Sequence, residues 1–496
     1  MTWQQQPPSY DPRAQFQPGG WSPPPPPRRR GKVWVVVAAI VAVVAAASVS
    51  VVLLTRKDEA PTATQPTEQS KPDFKPWTTK GEKDSKDNAL RILNSDKDLI
   101  IVTARDVTAI GREDGEVKWF TKAPDIEAAE GAFCGAGNTP SSDNKLALTL
   151  GLVENKSKPI SANCGIVTVI DLKTGELGWS TTVAYAQGAI SEKTRGMPVE
   201  IVDDVVVATW DFNVFGLDLA TGDSKWHVKL KSDPNGKPNC PVNGMLPAGP
   251  DSVVVKTTCI QPNGDALFSV AELTAKGTIG RSANITDADA GAPISSMKLL
   301  AGSPVVLNVT PKPGPDERMS IVTLDDDWKV QSVIHDERGD AKADYVLATV
   351  PIGFATTPVG AYQEQSRSLV SGNTMVSLTA PNKGKPNRIV ATDLKTGKDL
   401  WATEEPALLF MQVLAIEGDK VYALQSALEN TKDFDQSVVE LDLKDGKVKD
   451  KKTTEVISPN DGPPTITFYG FTFKDGRAYG VHFQNSDTQW LAYSVG

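Results

Sequence analysis

The sequence predicts an all-β fold closed into a ring, preceded by one membrane-spanning helix. Three observations predict the ring. The apolar periodicity is that of short strands, a two-strand phrase recurs along the chain, and the last copy is one strand short while a matching strand stands near the start.

The strands come first. Segments such as DDVVVATW, SPVVLNVT, DSVVVKTT, DKVYALQS and GRAYGVHF are short, rich in Val and Tyr, and bounded by Gly, Asp, Asn or Pro. No long stretch outside the span carries an apolar stripe of period 3.6, so helix content is expected to be very low there.

The phrase reads AIGREDGEVKW to Trp119, VIDLKTGELGW to Trp179, GLDLATGDSKW to Trp226 and ATDLKTGKDLW to Trp401, with weaker copies around Gly277, Trp328 and Gly446. Its turn position falls at Gly115, Gly175, Gly222, Gly277, Trp328, Gly397 and Gly446, in steps of 60, 47, 55, 51, 69 and 49 residues. Repeats of this length built of four short strands are propeller blades. Each part has a mechanical reason. An apolar strand ends at an Asp whose side chain accepts from the next backbone amides, Gly takes the positive φ of the turn, and the following strand ends in Trp. A Trp on the outer strand fills the wedge between blades, burying about 150–250 Å². The repeat residues Trp77, Trp119, Trp179, Trp226 and Trp401 are therefore read as packing, not as cofactor platforms.

The blade count follows from the ends. After the seventh phrase the chain supplies TITFYGFTFKDGRAYGVHFQ and QWLAYSVG, then stops before any turn-and-Trp strand. Phe74-Lys75-Pro76-Trp77-Thr78-Thr79 is read as the missing outer strand, which closes the ring and removes its open edge. Seven phrases and one shared blade make an eight-bladed β-propeller of four-stranded blades. Seven-bladed is the alternative, because the fourth and fifth copies are degenerate.

The wording DLxTGxxxW resembles the PQQ-like β-propeller repeat superfamily, over residues 74–496. That superfamily includes quinoprotein alcohol dehydrogenases, the outer-membrane-protein assembly lipoprotein, and membrane-anchored envelope proteins of Gram-positive bacteria with a Pro-rich N-terminal tail. The plan of this chain resembles the last group. The resemblance implies the fold and says little of function, since the repeat is structural. In the quinoprotein enzymes it would imply a disulfide between neighbouring cysteines against the cofactor, and a bound Ca²⁺. Here the closest cysteines, Cys240 and Cys259, stand 19 positions apart.

Residues 1–32 form a Pro-rich tail with the unbroken run Pro23 to Pro27, expected to be disordered and solvated. It is a spacer or a docking strip for an aromatic-lined groove. After Arg28, Arg29, Arg30 and Lys32, residues 33–55 carry no charge over 23 positions, a helix of roughly 35 Å that spans a membrane. The cations ahead of it place the tail in the cytoplasm and the rest outside. The long leader favours an uncleaved anchor over a signal peptide, and no Cys near the end of the span offers lipid attachment. Residues 56–73 are read as a flexible linker, and residues 74–496 as the extracytoplasmic propeller.

The net charge is −9, and the tail holds a net +4, so the remainder is an acidic −13. A nucleic-acid partner is not expected. Three histidines and four cysteines leave little material for a metal centre or a histidine relay, and no metal or cofactor is expected. Cys134, Cys164, Cys240 and Cys259 all follow the span, in an oxidising compartment, and are read as two disulfides. The simplest pairing is Cys134 with Cys164 and Cys240 with Cys259, each worth on the order of 3 kcal/mol. Four cysteines allow three connectivities. Asp287-Ala288-Asp289-Ala290-Gly291 and Asp325-Asp326-Asp327 lack the spacing of a Ca²⁺ loop and are read as turns, and His227 as pointing to solvent. The inserts Glu154 to Asn163 and Asp340 to Val370 break the rhythm and are where recognition is expected.

The function expected is that of a non-catalytic, single-pass binding or scaffolding propeller holding an unidentified extracytoplasmic protein or envelope ligand, with a possible cytoplasmic partner for the tail. A sensor signalling through the span to that tail is the alternative, and a quinoprotein dehydrogenase a lesser one. One helix transmits poorly unless copies associate, and this span has no GxxxG pattern.

Overall fold

The computed structural model describes residues 76–81, 89–126, 130–155, 161–183, 197–230, 240–261, 265–313, 319–335, 346–347, 368–380, 388–404, 409–427, 435–455, 469–483 and 490–495. The chain divides into two units, Met1–Lys71 and Pro72–Gly496. The first unit lies outside the described residues, so the expected tail (1–32), span (33–55) and linker (56–73) do too. Among the described residues no helix is long and apolar enough to cross a membrane, and the one helix is the four-residue Asp287–Ala290.

The strands form eight antiparallel sheets, the eight blades. Blades I to VII take residues 89–122, 131–182, 199–229, 242–285, 294–335, 346–402 and 409–455 in order. Blade VIII joins the two ends of the ring: Thr78–Lys80 pairs with Trp490–Val495, which is followed inward by Arg477–Phe483 and Tyr469–Lys474. Thr78 lies opposite Tyr493 and Lys80 opposite Leu491. One residue earlier, Trp77 N donates to Ser494 Oγ at 3.1 Å, and Ser494 N donates to Trp77 O at 3.2 Å. The shared blade is therefore real and the count is eight. Phe74 and Lys75, the first residues of the expected strand, lie outside the described residues. Blade VI departs from the four-strand plan. Ser368–Ser371 and Val346–Leu347 both pair with Thr374–Ala380, one after the other along its length. Part of the insert from Asp340 to Val370 is thus strand, not loop.

Strand alternation gives every blade two apolar faces, and the core is divided among the seams between blades. In blade I, Ile100 and Val102 pack with Phe133, Leu146 and Leu148 of blade II. Their neighbours Leu99 and Ile101 pack the other way, with Tyr479 and Val481 of blade VIII. Equivalent clusters fill the other six seams.

The repeated phrase acts across these seams. Gly115, Gly175 and Gly222 adopt φ of 71°, 75° and 77°, and each turn lies under the indole of the preceding blade, not under the Trp of its own phrase. A Cβ on Gly115 would meet Cδ2 of Trp77 at 2.5 Å, one on Gly175 would meet Cδ2 of Trp119 at 2.6 Å, and one on Gly277 would meet Cδ2 of Trp226 at 2.7 Å. Trp179 covers Gly222 and Trp401 covers Gly446 in the same way. Each indole Nε1 also donates to a carbonyl of the turn it covers: Trp77 to Arg112 (2.9 Å), Trp119 to Leu172 (3.2 Å), Trp179 to Leu219 (3.0 Å), Trp226 to Ala275 (2.7 Å) and Trp401 to Leu443 (2.7 Å). Two positions after Trp, on the same strand face, Thr79, Thr121 and Thr181 donate to the carbonyls of Gly115, Gly175 and Gly222. The Asp that opens the turn behaves as expected. Asp218 Oδ1 accepts from Ala220 N and Thr221 N, and Asp393 Oδ1 from Lys395 N and Thr396 N.

The degenerate copies improvise. Trp328 stands where the turn glycine would be, at φ 60°, and Arg281 of blade IV lies 5.6 Å over its ring. In blade V, Ser332 donates to Leu394 O and Ile334 faces Gly397. Both expected disulfides form. Cys134 joins Cys164 within blade II, and Cys240 joins Cys259 within blade IV. At the closing seam, buried Arg112 pairs with Asp475 of blade VIII at 2.7 Å and donates to Asp96 O, and Trp77 stacks on Tyr479 with ring centroids 6.2 Å apart.

Four outcomes are expected. Gly175→Ala should cost about 2–4 kcal/mol, because both the positive φ and the indole resist a methyl group. In a Trp119→Ala background the cost should fall by on the order of 1 kcal/mol, read as a double-mutant cycle by denaturant unfolding. Deleting residues 74–80 should lower the unfolding midpoint markedly, and equal midpoints would refute the closure. Arg112 holds the Asp475 carboxyl below its ordinary range. Such a group stabilises the fold above its unfolded-state value and loses that contribution as pH falls through its folded-state value. Asp475→Asn should therefore lower the midpoint near neutral pH, and the difference should vanish as the pH falls through the carboxyl's lowered folded-state value.

Candidate functional site

Antiparallel blades sort their connections by face. Turns between first and second and between third and fourth strands open on one face, while second-to-third loops and blade-to-blade connectors open on the other. The two inserts singled out in the sequence join strands at this second face. One links Lys145–Asn155 to Ser161–Asp171 in blade II, and the other leads from blade V into blade VI. Their side chains from 156 to 160 and 348 to 367 lie outside the described residues. Ile260, 62% exposed, stands on the same face at the end of Ser252–Ile260. The chain reaches Trp77 on the opposite face, where its indole meets the turn of blade I.

The innermost strands contact one another in succession round the axis, from Ala89–Asn94 of blade I to Tyr469–Lys474 of blade VIII and back. Most present small or apolar residues; Lys298 of blade V carries a charge mid-strand and Glu417 and Lys474 at strand ends, and Arg91 and Glu200 are the pair of opposite charges that act on one another. Arg91 of blade I follows a bulge that displaces Leu90, and Glu200 of blade III is fully buried. Both Glu200 carboxylate oxygens accept from Asn138 N at 3.0 Å, and Oε1 also accepts from Asn138 Nδ2. Between the two lies the blade II strand Gly131–Ala136, with glycine at 135 and again at 137, just past its end. A Cβ at 137 would come within 3.5 Å of Glu200 Oε2. Burial pushes the Arg91 guanidinium down to about 10, and Glu200 pulls the other way. Neither residue carries a motif, so sequence reading missed them; a lone Arg in an apolar inner strand was the available signal.

The other sequence candidates are structural. Trp77, Trp119, Trp179, Trp226 and Trp401, with Gly115, Gly175, Gly222 and Gly446, belong to the seams, while Gly397 meets Ile334. Asp289 caps the helix by accepting from Thr286 N at 2.8 Å, and Asp287 accepts from Ile294 N at 2.9 Å. Asp325 Oδ1 accepts from Asp327 N and Lys329 N, so the aspartate run is a turn. His227 is exposed, stacks on Phe215 at 4.6 Å and contacts Asn213 Oδ1 at 2.8 Å. A quinone cofactor does not fit these residues: the disulfides join positions 30 and 19 apart, within separate blades. No group of three metal-ligating side chains occurs among the described residues.

Residues 104–310 match the family model described as outer membrane protein assembly factor BamB. No curated protein matches the chain. Among solved structures, BamB from Moraxella catarrhalis is similar at 13% identity and a TM-score of 0.41, over 84% of this chain and 98% of that one. Sqt1 from Saccharomyces cerevisiae is similar at 10% identity and a TM-score of 0.41, over 83% and 96%. Apo AztD from Citrobacter koseri is similar at 13% and 0.39, over 78% and 88%. The repeat matched over residues 104–310 thus lies within an eight-bladed β-propeller.

Proposed function

We propose that the chain is a membrane-anchored, non-catalytic binding module. The uncharged stretch 33–55 holds it in the membrane, the Pro-rich tail stays in the cytoplasm, and the ring stands outside, presenting its loop face to a protein or envelope ligand. The charge-free span behind four cations supports the anchor and its orientation. Two disulfides and no free cysteine among the described residues agree with an oxidising compartment.

One observation carries the binding reading: the indoles, turn carboxylates and threonines of the repeat are engaged in seams and turns. What varies from blade to blade is the loop face and the axis, and loops on a rigid scaffold are where recognition residues gather.

The test is made in intact cells with the full chain. A photo-crosslinking residue is placed at Ile260 on the loop face, and as a control at Lys173 on the turn face. The expected result is recovery in the membrane fraction and a discrete adduct from position 260 that is absent from 173. Recovery in the soluble fraction, or equal adducts from both positions, would contradict the proposal.

A further inference from the structure

Arg91 is the charged group that the packing leaves unanswered. The residue keeps some exposed surface, yet its Nε and Nη2 are both buried without a hydrogen-bond partner. Leaving a buried donor unmet costs stability, and more so when it is charged. Glu200, the nearby opposite charge, has its carboxylate held by Asn138.

The identity of the two nitrogens matters. Nε and Nη2 form one edge of the guanidinium, with two parallel N–H bonds at the spacing of two carboxylate oxygens. Arg112 and Arg388 also carry a buried orphan nitrogen, but in each it is Nε alone. Among the described residues only Arg91 leaves a whole edge unused. Its neighbourhood also selects among anions. Glu200 offsets part of the positive charge, which suits a monoanion better than a phosphate dianion.

We propose that Arg91 binds a carboxylate of the ring's ligand, side-on and bidentate, at the axis between blades I and III. The inference deepens the binding-module reading and rests on it. It names the chemistry of the ligand, either a small organic acid or the free C-terminus of a peptide.

The test follows thermal unfolding of the full chain in detergent at constant ionic strength as chloride is replaced by acetate. In a second arm, N-acetyl-Ala-Ala with a free C-terminus is compared with its amide. The wild-type midpoint should rise in acetate by a few degrees as ligand exceeds its dissociation constant. Arg91→Met should lose that rise while keeping an equal or higher midpoint in chloride, because it removes an unpaired buried charge. Arg91→Lys, which keeps the charge without the fork, should also lose the rise. A larger effect from the free dipeptide than from its amide assigns the carboxylate to a peptide, and an effect of acetate alone assigns it to a small acid. Three results would overturn the proposal: equal midpoints in acetate and chloride, a rise that survives in Arg91→Met, or a sharp loss of stability in Arg91→Met in chloride. The last would mean that Nε and Nη2 are met inside the protein by water or by a carboxylate of the chain itself. Crosslinking from Ile260 is independent of Arg91, so failure here leaves the loop-face reading to stand or fall separately.

Discussion

An indole laid over a positive-φ glycine of the next blade is the contact on which the ring depends. A blade is a small sheet with two apolar faces, and neither can face water; its partner is always the next blade. Apolar side chains alone would let blades slide or splay. The indole fixes the register, because it packs flat against a turn that tolerates no Cβ and donates a hydrogen bond to a carbonyl of that turn. The threonine two places on adds a second donor to the same turn.

This constraint orders the ring into stronger and weaker seams. Five seams carry the indole, including the closing one between blades VIII and I. Between IV and V a guanidinium over Trp328 replaces it, and between V and VI a serine and an isoleucine do. Between VII and VIII there is no such turn to cover, because blade VIII takes its outer strand from the other end of the chain. That seam rests on Leu424, Val438, Phe471 and Phe473 and the residues packed with them.

Much of this was legible in the sequence, and the reasons are local. Valine-rich alternation identifies strands, a glycine between Asp and Trp identifies the turn, and an unfinished last copy points to a strand borrowed from upstream. Trp328 is recognisable as a turn position from the residues around it, although the glycine is missing. Long-range pairings are not legible in this way. Nothing in DLKTGELGW says that Trp179 covers Gly222 rather than Gly175, and the threonines that follow the tryptophans pass as ordinary strand residues. Three cysteine connectivities stay open until the blades are assembled. Arg91 and Glu200 lie 109 positions and two blades apart, and only the closed ring brings them into one electrostatic neighbourhood. The insert before Ser368 hides the same kind of contact, since Val346–Leu347 pairs with Thr379 and Ala380 only because blade VI is already in place.

A scaffold whose repeat residues are committed to its seams can vary its loops and axis without losing its shape, which suits a module built for contact. Hydrogen exchange of the native full chain, read by mass spectrometry, tests the seam hierarchy beneath that account. Backbone amides of the turns around Gly115, Gly175, Gly222 and Gly446 should exchange slowly, and those of Val448–Glu455 and the turn at Asp475 and Gly476, where no indole bridges blade VII to blade VIII, markedly faster. Uniform protection round the ring, or faster exchange at the indole-covered turns, would contradict it.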